Sequence, residues 1–139
     1  MLSKDIEELK YQFEGLNFAT VYKKVEKIKK TEQYQLSPII DKLYLNYFQI
    51  FPLTFLIFSL PDDMNDVFDQ FLEISYDEIQ DAKIQLFYLS IQIIIYDFRN
   101  KNDLVDQLKN KVINEIFNSL NLSSTNDKEL LFFLGLILS

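Results

Sequence analysis

The chain has no histidine, no cysteine and no tryptophan. Without imidazole or thiol there can be no Ser-His-Asp or Cys-His nucleophile pair, no disulfide and no zinc site built on nitrogen or sulfur ligands. Catalysis would fall to carboxylates, lysine, tyrosine or serine, and a metal site to oxygen ligands alone. Gly15 and Gly135 are the only glycines, so no glycine-rich loop can cradle a phosphate and no nucleotide fingerprint exists. With three prolines and no alternating Val/Thr-rich segment, strands have little support. These absences predict a protein that is not an enzyme and holds neither cofactor nor metal.

What is present points to a helical fold. A length of 139 residues predicts a single domain over 1–139, and 48% hydrophobic residues is too apolar for disorder. The first residues, Met1 to Glu8, mix charges and lack an apolar run, which predicts no secretory leader and a cytoplasmic setting. Residues 43–60 carry no formal charge, but Asn46, Gln49, Thr54 and Pro52 interrupt them. A spanning helix wants about twenty predominantly apolar residues, so a buried pair of core helices is expected there and a membrane segment is not.

Helical periodicity recurs along the chain. Ser3 is placed to cap a first helix whose Ile6, Leu9 and Phe13 share a face before Gly15 breaks it. Asn17 is the expected cap of a second, striped by Phe18, Val21, Tyr22, Val25 and Ile28. Residues 31–37 read as a loop, with Ser37-Pro38 as cap and first position of a third helix running toward Pro52. A fourth begins near Pro61, with Met64, Val67, Phe68, Phe71 and Leu72 on one side. Ser75 and Glu78 have the spacing of a capping box for a fifth, apolar on nearly every side from Ile84 onward and therefore central. A sixth, with Leu104, Leu108, Val112, Ile116 and Leu120 inward, precedes a last loop and an apolar tail over 130–138. The expected fold is all-α, a compact bundle of about six to seven helices, with stacked antiparallel hairpins as a variant.

Charge is segregated. From Leu43 to Ala82 there is no Lys or Arg, while Asp62, Asp63, Asp66, Asp69, Glu73, Asp77, Glu78 and Asp81 supply eight acids against a net charge of -7. Such a face steers and docks a basic partner, and Asp62, Asp63, Asp66, Asp69, Glu73, Asp77 and Asp81 are the candidate partner-binding residues. Asp62 and Glu73 stand twelve positions apart inclusively, as in a calcium loop, but Met64 and Val67 occupy the places of a ligand and the turn glycine. Asp97 beside Arg99 reads as a structural pair following the apolar run. The lysines at 23, 24, 27, 29 and 30 suit a helix C-terminus and lack the interleaved exposed aromatics of a nucleic-acid platform.

The expected function is a small acidic inhibitory protein. It would be an immunity protein or antitoxin, bacterial in origin, that covers the basic active cleft of a nuclease-like toxin. A nucleic-acid mimic blocking a nucleic-acid-binding enzyme is the related alternative, and a module that oligomerises through apolar helix faces is the alternative from another class.

Overall fold

A computed structural model of the chain describes residues 2–52 and 64–116, with 128 and 135. The described residues are all-α, with no strand among them. They fall into two compact units, one ending at Ile74 and the other starting at Ser75.

In the first unit, α1 (Leu2–Glu14), α2 (Phe18–Lys29), α3 (Glu32–Leu36), α4 (Ile39–Ile50) and α5 (Met64–Leu72) follow one another. Helix α4 is central: Leu43 to Ile50 are all buried, and α1, α2 and α5 pack on it. The predicted stripes do this packing, with Ile6 and Leu9 from α1, Phe18, Val21, Tyr22 and Val25 from α2, and Met64, Val67, Phe68 and Phe71 from α5 all buried. At one end the Phe13 ring meets Phe18, Phe48 and Tyr47 at 5.0, 5.2 and 5.5 Å, in tilted geometries that suit the ring quadrupoles. The uncharged run therefore reaches at least Ile50 as buried core. Among the described residues no helix is long and apolar enough to cross a membrane; residues 53–60 lie outside them.

Several expected helix ends are placed differently. Helix α1 does end before Gly15 as expected, but the left-handed residue is Leu16 at φ 65. Leu16 N–H donates to Phe13 O at 3.0 Å and Asn17 N–H to Gln12 O at 3.2 Å, the paired bonds of a Schellman end with leucine where glycine is usual. Asn17 stands at the N-cap of α2, yet its side chain makes no capping bond. The expected 31–37 loop contains α3, capped by Thr31, whose hydroxyl accepts from Tyr34 N–H at 3.4 Å. Ser37 closes α3 instead of opening α4: its hydroxyl donates to Tyr34 O at 2.6 Å, and Pro38 takes the N-cap of α4.

The second unit is built on α6 (Ala82–Phe98) and α7 (Asn102–Lys111), the latter continuing into a π-helical turn over Val112–Ile116. The apolar run of α6 is buried as expected, with Leu86, Phe87, Leu89, Ile91 and Ile95 almost wholly inaccessible. Ser90, in their midst, satisfies its hydroxyl on Phe87 O at 2.6 Å. Asn100, left-handed at φ 58, closes α6 with a second Schellman pair, Asn100 N–H to Asp97 O and Lys101 N–H to Tyr96 O.

The expected capping box is absent. Ser75 makes no side-chain cap bond, and residues Tyr76–Glu78 form one 3-10 turn. Tyr76 lies against Tyr88 at 5.6 Å and under Lys111 at 4.3 Å, while Ile79 is buried and its carbonyl accepts from Gln85 Nε2 at 2.7 Å. These contacts hold the chain extended at Ile79 and Asp81. The helix restarts at Ala82, with Asp81 as the true cap accepting from Lys83 N–H at 2.8 Å and Ile84 N–H at 3.1 Å. On α7 the buried edge runs through Val105 and Val112, and Leu104 sits at its exposed margin. Leu120 and, apart from Gly135, the 130–138 tail lie outside the described residues.

Candidate functional site

Helix α5 divides its residues by polarity. Met64, Val67, Phe68 and Phe71 are buried, whereas Asp66, Asp69 and Glu73 are exposed. At 100° per residue the three carboxylates span about 60° of arc. Glu73, one residue beyond α5, extends the turn by donating its N–H to Asp69 O at 3.1 Å. Three of the predicted partner-binding acids therefore share one presented face.

The other four are placed otherwise. Asp62 and Asp63 lie outside the described residues. Asp77 is exposed on the 3-10 turn and belongs to the second unit, as does Asp81. The Asp81 carboxylate is engaged by the amides that open α6. Asp97, which follows the apolar run of α6, is exposed.

The lysine cluster of α2 also separates. Lys23, Lys27 and Lys30 are exposed. Lys24 reaches back to α1, donating to Gln12 Oε1 at 3.1 Å and lying 4.0 Å from Glu8. Together with Asp5, Leu9, Lys27 and Ile28, Glu8 and Lys24 line a groove of about 320 Å³, whose paired acids and bases give it no field of one sign.

Lys29 turns inward. Its Nζ donates to Asn46 Oδ1 at 2.7 Å and to Gln49 Oε1 at 2.6 Å, both residues of α4 and both almost completely inaccessible, and to Gln70 Oε1 of α5 at 3.4 Å. The amides are held from behind. Asn46 Nδ2 donates to Lys42 O at 2.7 Å and to Tyr34 Oη at 3.2 Å, and Gln49 Nε2 donates to Tyr22 O at 3.4 Å. With each amide nitrogen already donating elsewhere, both amide oxygens are aimed at the ammonium, an arrangement that satisfies groups otherwise costly to bury. Burial pushes the Tyr34 phenol above its usual range; the Asn46 hydrogen bond opposes this, and the negative charge of Glu73 adds to it.

Sequence reasoning missed this node. Asn46 and Gln49 were visible only as interruptions of an apolar run, and Lys29 only as one lysine among five. The available signal was the i, i+3 spacing of two amides on a helix otherwise buried all round. Among the described residues no group of three or more acidic side chains is arranged to hold a metal ion. Comparison with family models, with curated proteins and with solved structures found no match, so every role assigned to these residues rests on their own chemistry.

Proposed function

We propose that the chain is a small acidic binding protein that docks a basic protein partner through the carboxylates of α5, without catalysing a reaction. In its specific form it is an inhibitor of the immunity-protein or antitoxin class, working in the cytoplasm and covering the basic cleft of a nuclease-like toxin. One observation carries this: Asp66, Asp69 and Glu73 stand exposed together while the opposite side of the same helix is locked into the core. A face on a packed helix loses little conformational freedom on binding, and its charge speeds encounter with a basic surface. The missing imidazole and thiol chemistry fits inhibition by coverage. Carboxylates spaced along a helix also fit the mimicry of phosphates.

The test is affinity capture from the native organism at low and high salt, repeated with the triple variant Asp66→Lys, Asp69→Lys, Glu73→Lys. Capture should weaken with salt, and the variant's affinity should fall tenfold or more, which is about 1.4 kcal/mol per decade. Affinity unchanged by the triple reversal would exclude the acidic face as the interface.

A second possibility has its own observation. Tyr11, Leu16 and Leu36 of the first unit are 80%, 70% and 78% exposed, and apolar side chains left in water can serve self-assembly. A stable oligomer in light scattering, indifferent to salt, would favour that alternative.

A further inference from the structure

The Lys29 node joins elements that the backbone alone leaves independent. The ammonium belongs to the last residue of α2; its acceptors Asn46 and Gln49 lie on α4, and Gln70 lies on α5. Through Asn46 the node also reaches Tyr34 of α3. Gln70 stands four residues after Asp66 and three before Glu73, about 40° beyond Asp66 around the helix, at the edge of the acidic face on the side of Val67. The positive charge thus lies at the flank of the carboxylate face, and the buried amides hold it there from the side of α4.

We propose that Lys29 is a latch for α5: its charge, seated in the Asn46 and Gln49 amide oxygens, holds the acidic helix against α4 and so fixes the face that α5 presents. Several features make the seat a cation receptor and not a general polar patch. Two amide oxygens within 2.7 Å converge on one nitrogen, each matching amide nitrogen already donates elsewhere, and charged hydrogen bonds of this kind are the strong ones. A neutral side chain of similar length would leave both oxygens buried without a donor, which is costly. That cost can be relieved if water reaches the seat through loosening of α5, which meets the seat through the exposed Gln70. The proposal depends on the acidic-face assignment only for its functional consequence, since the latch itself is measurable in the free chain.

Hydrogen exchange of the full chain tests it. In Lys29→Met, amides of residues 64–72 should exchange at least tenfold faster than in the parent, with those of α1 and of α6 changed by less than twofold. Lys29→Arg, which keeps the cation, should restore most of the protection. Gln70→Ala removes an exposed partner without disturbing the buried seat, and should give a smaller acceleration confined to the same residues. If Lys29→Met does not fold, Gln70→Ala decides. Unaltered exchange at 64–72 in the folded variants, or a uniform acceleration across the chain, overturns the latch. Because no partner is present, its failure is distinguishable from a failure of partner binding.

Discussion

Asp81 was expected at an interface and is found at a helix start, and the two roles can be separated by substitution. Its carboxylate accepts two backbone N–H bonds, at 2.8 and 3.1 Å, from the first turn of α6. Replacing a helix cap by alanine costs about 1 kcal/mol, with a range of roughly 0.5–2. Asp81→Ala should therefore lose about that much. Asp81→Asn keeps an oxygen acceptor and gives up only the favourable contact of a negative charge with the helix dipole, about 0.3–1 kcal/mol. Ser75→Ala, at the cap position of the box that does not form, should stay within about 0.5 kcal/mol of the parent. Urea unfolding followed by far-ultraviolet circular dichroism ranks the three, and exchange of the Lys83 and Ile84 amides localises the loss to α6. A cost for Ser75→Ala equal to that of Asp81→Ala would refute the assignment of the cap. The same series bears on function. Asp81→Asn removes one acid from the 62–81 stretch while retaining the fold, so a partner affinity unchanged by it would exclude the Asp81 charge from the interface.

Leu16, left-handed and 70% exposed, should respond to glycine unlike an ordinary residue. The left-handed conformation costs a non-glycine residue about 1–2 kcal/mol, while glycine adds about 0.5–1 kcal/mol of chain entropy to the unfolded state. Leu16→Gly should thus be more stable than Leu16→Ala by about 0.5–1 kcal/mol in urea unfolding, a comparison in which both lose the same side chain; the reverse order would contradict the Schellman end. Alkaline pH should destabilise the fold through its buried phenols. Burial raises Tyr47, and burial with the nearby Tyr96 pushes Tyr88 up to about 12, against an ordinary value of 10.0. The folded state keeps protons that the unfolded state releases, so stability falls as pH rises past about 10, by up to about 1.4 kcal/mol per pH unit for each such group. Tyr47→Phe should flatten that decline, as read from urea midpoints between about pH 9 and 11.5; an unchanged slope would show that the phenol is not held protonated.

Helix identity was legible where polarity alternates strongly. The stripe of α2 and the two-sided division of α5 follow from residue spacing alone, and the uniformly apolar α6 could only be central. Ends were less legible, for a common reason. A cap is chosen by competition among nearby polar side chains, and tertiary contacts settle it. Ser75 and Glu78 have the right spacing, but the packing of Tyr76 and Ile79 keeps the chain extended until Asp81. Residues 31–37 looked like a loop because a five-residue helix carries too little periodicity to register, although Thr31 was a fitting cap. Leu16 shows a different limit: α1 ends before Gly15 as expected, but the left-handed residue is the leucine that follows the glycine.

The candidate site divides along the same line. That Asp66, Asp69 and Glu73 face outward is a consequence of helical geometry, and the sequence contains it. That a lysine lies at their flank is a consequence of α2 crossing α4, which no local pattern encodes. The difference matters for the field the face projects. Counting acids along 62–81 suggests a strong uncompensated potential, yet Lys29 Nζ donates to Gln70 Oε1, at the edge of that face, at 3.4 Å. A cation at the edge of the acidic face lowers its net charge, so long-range steering is weaker than the count of acids implies. Short-range recognition is less affected, because the cation is drawn toward the amide seat while the carboxylates stand outermost. A basic partner would then gain more from close docking than from attraction at a distance. Its salt dependence should appear more in dissociation than in association, the reverse of what a simple row of exposed acids would produce.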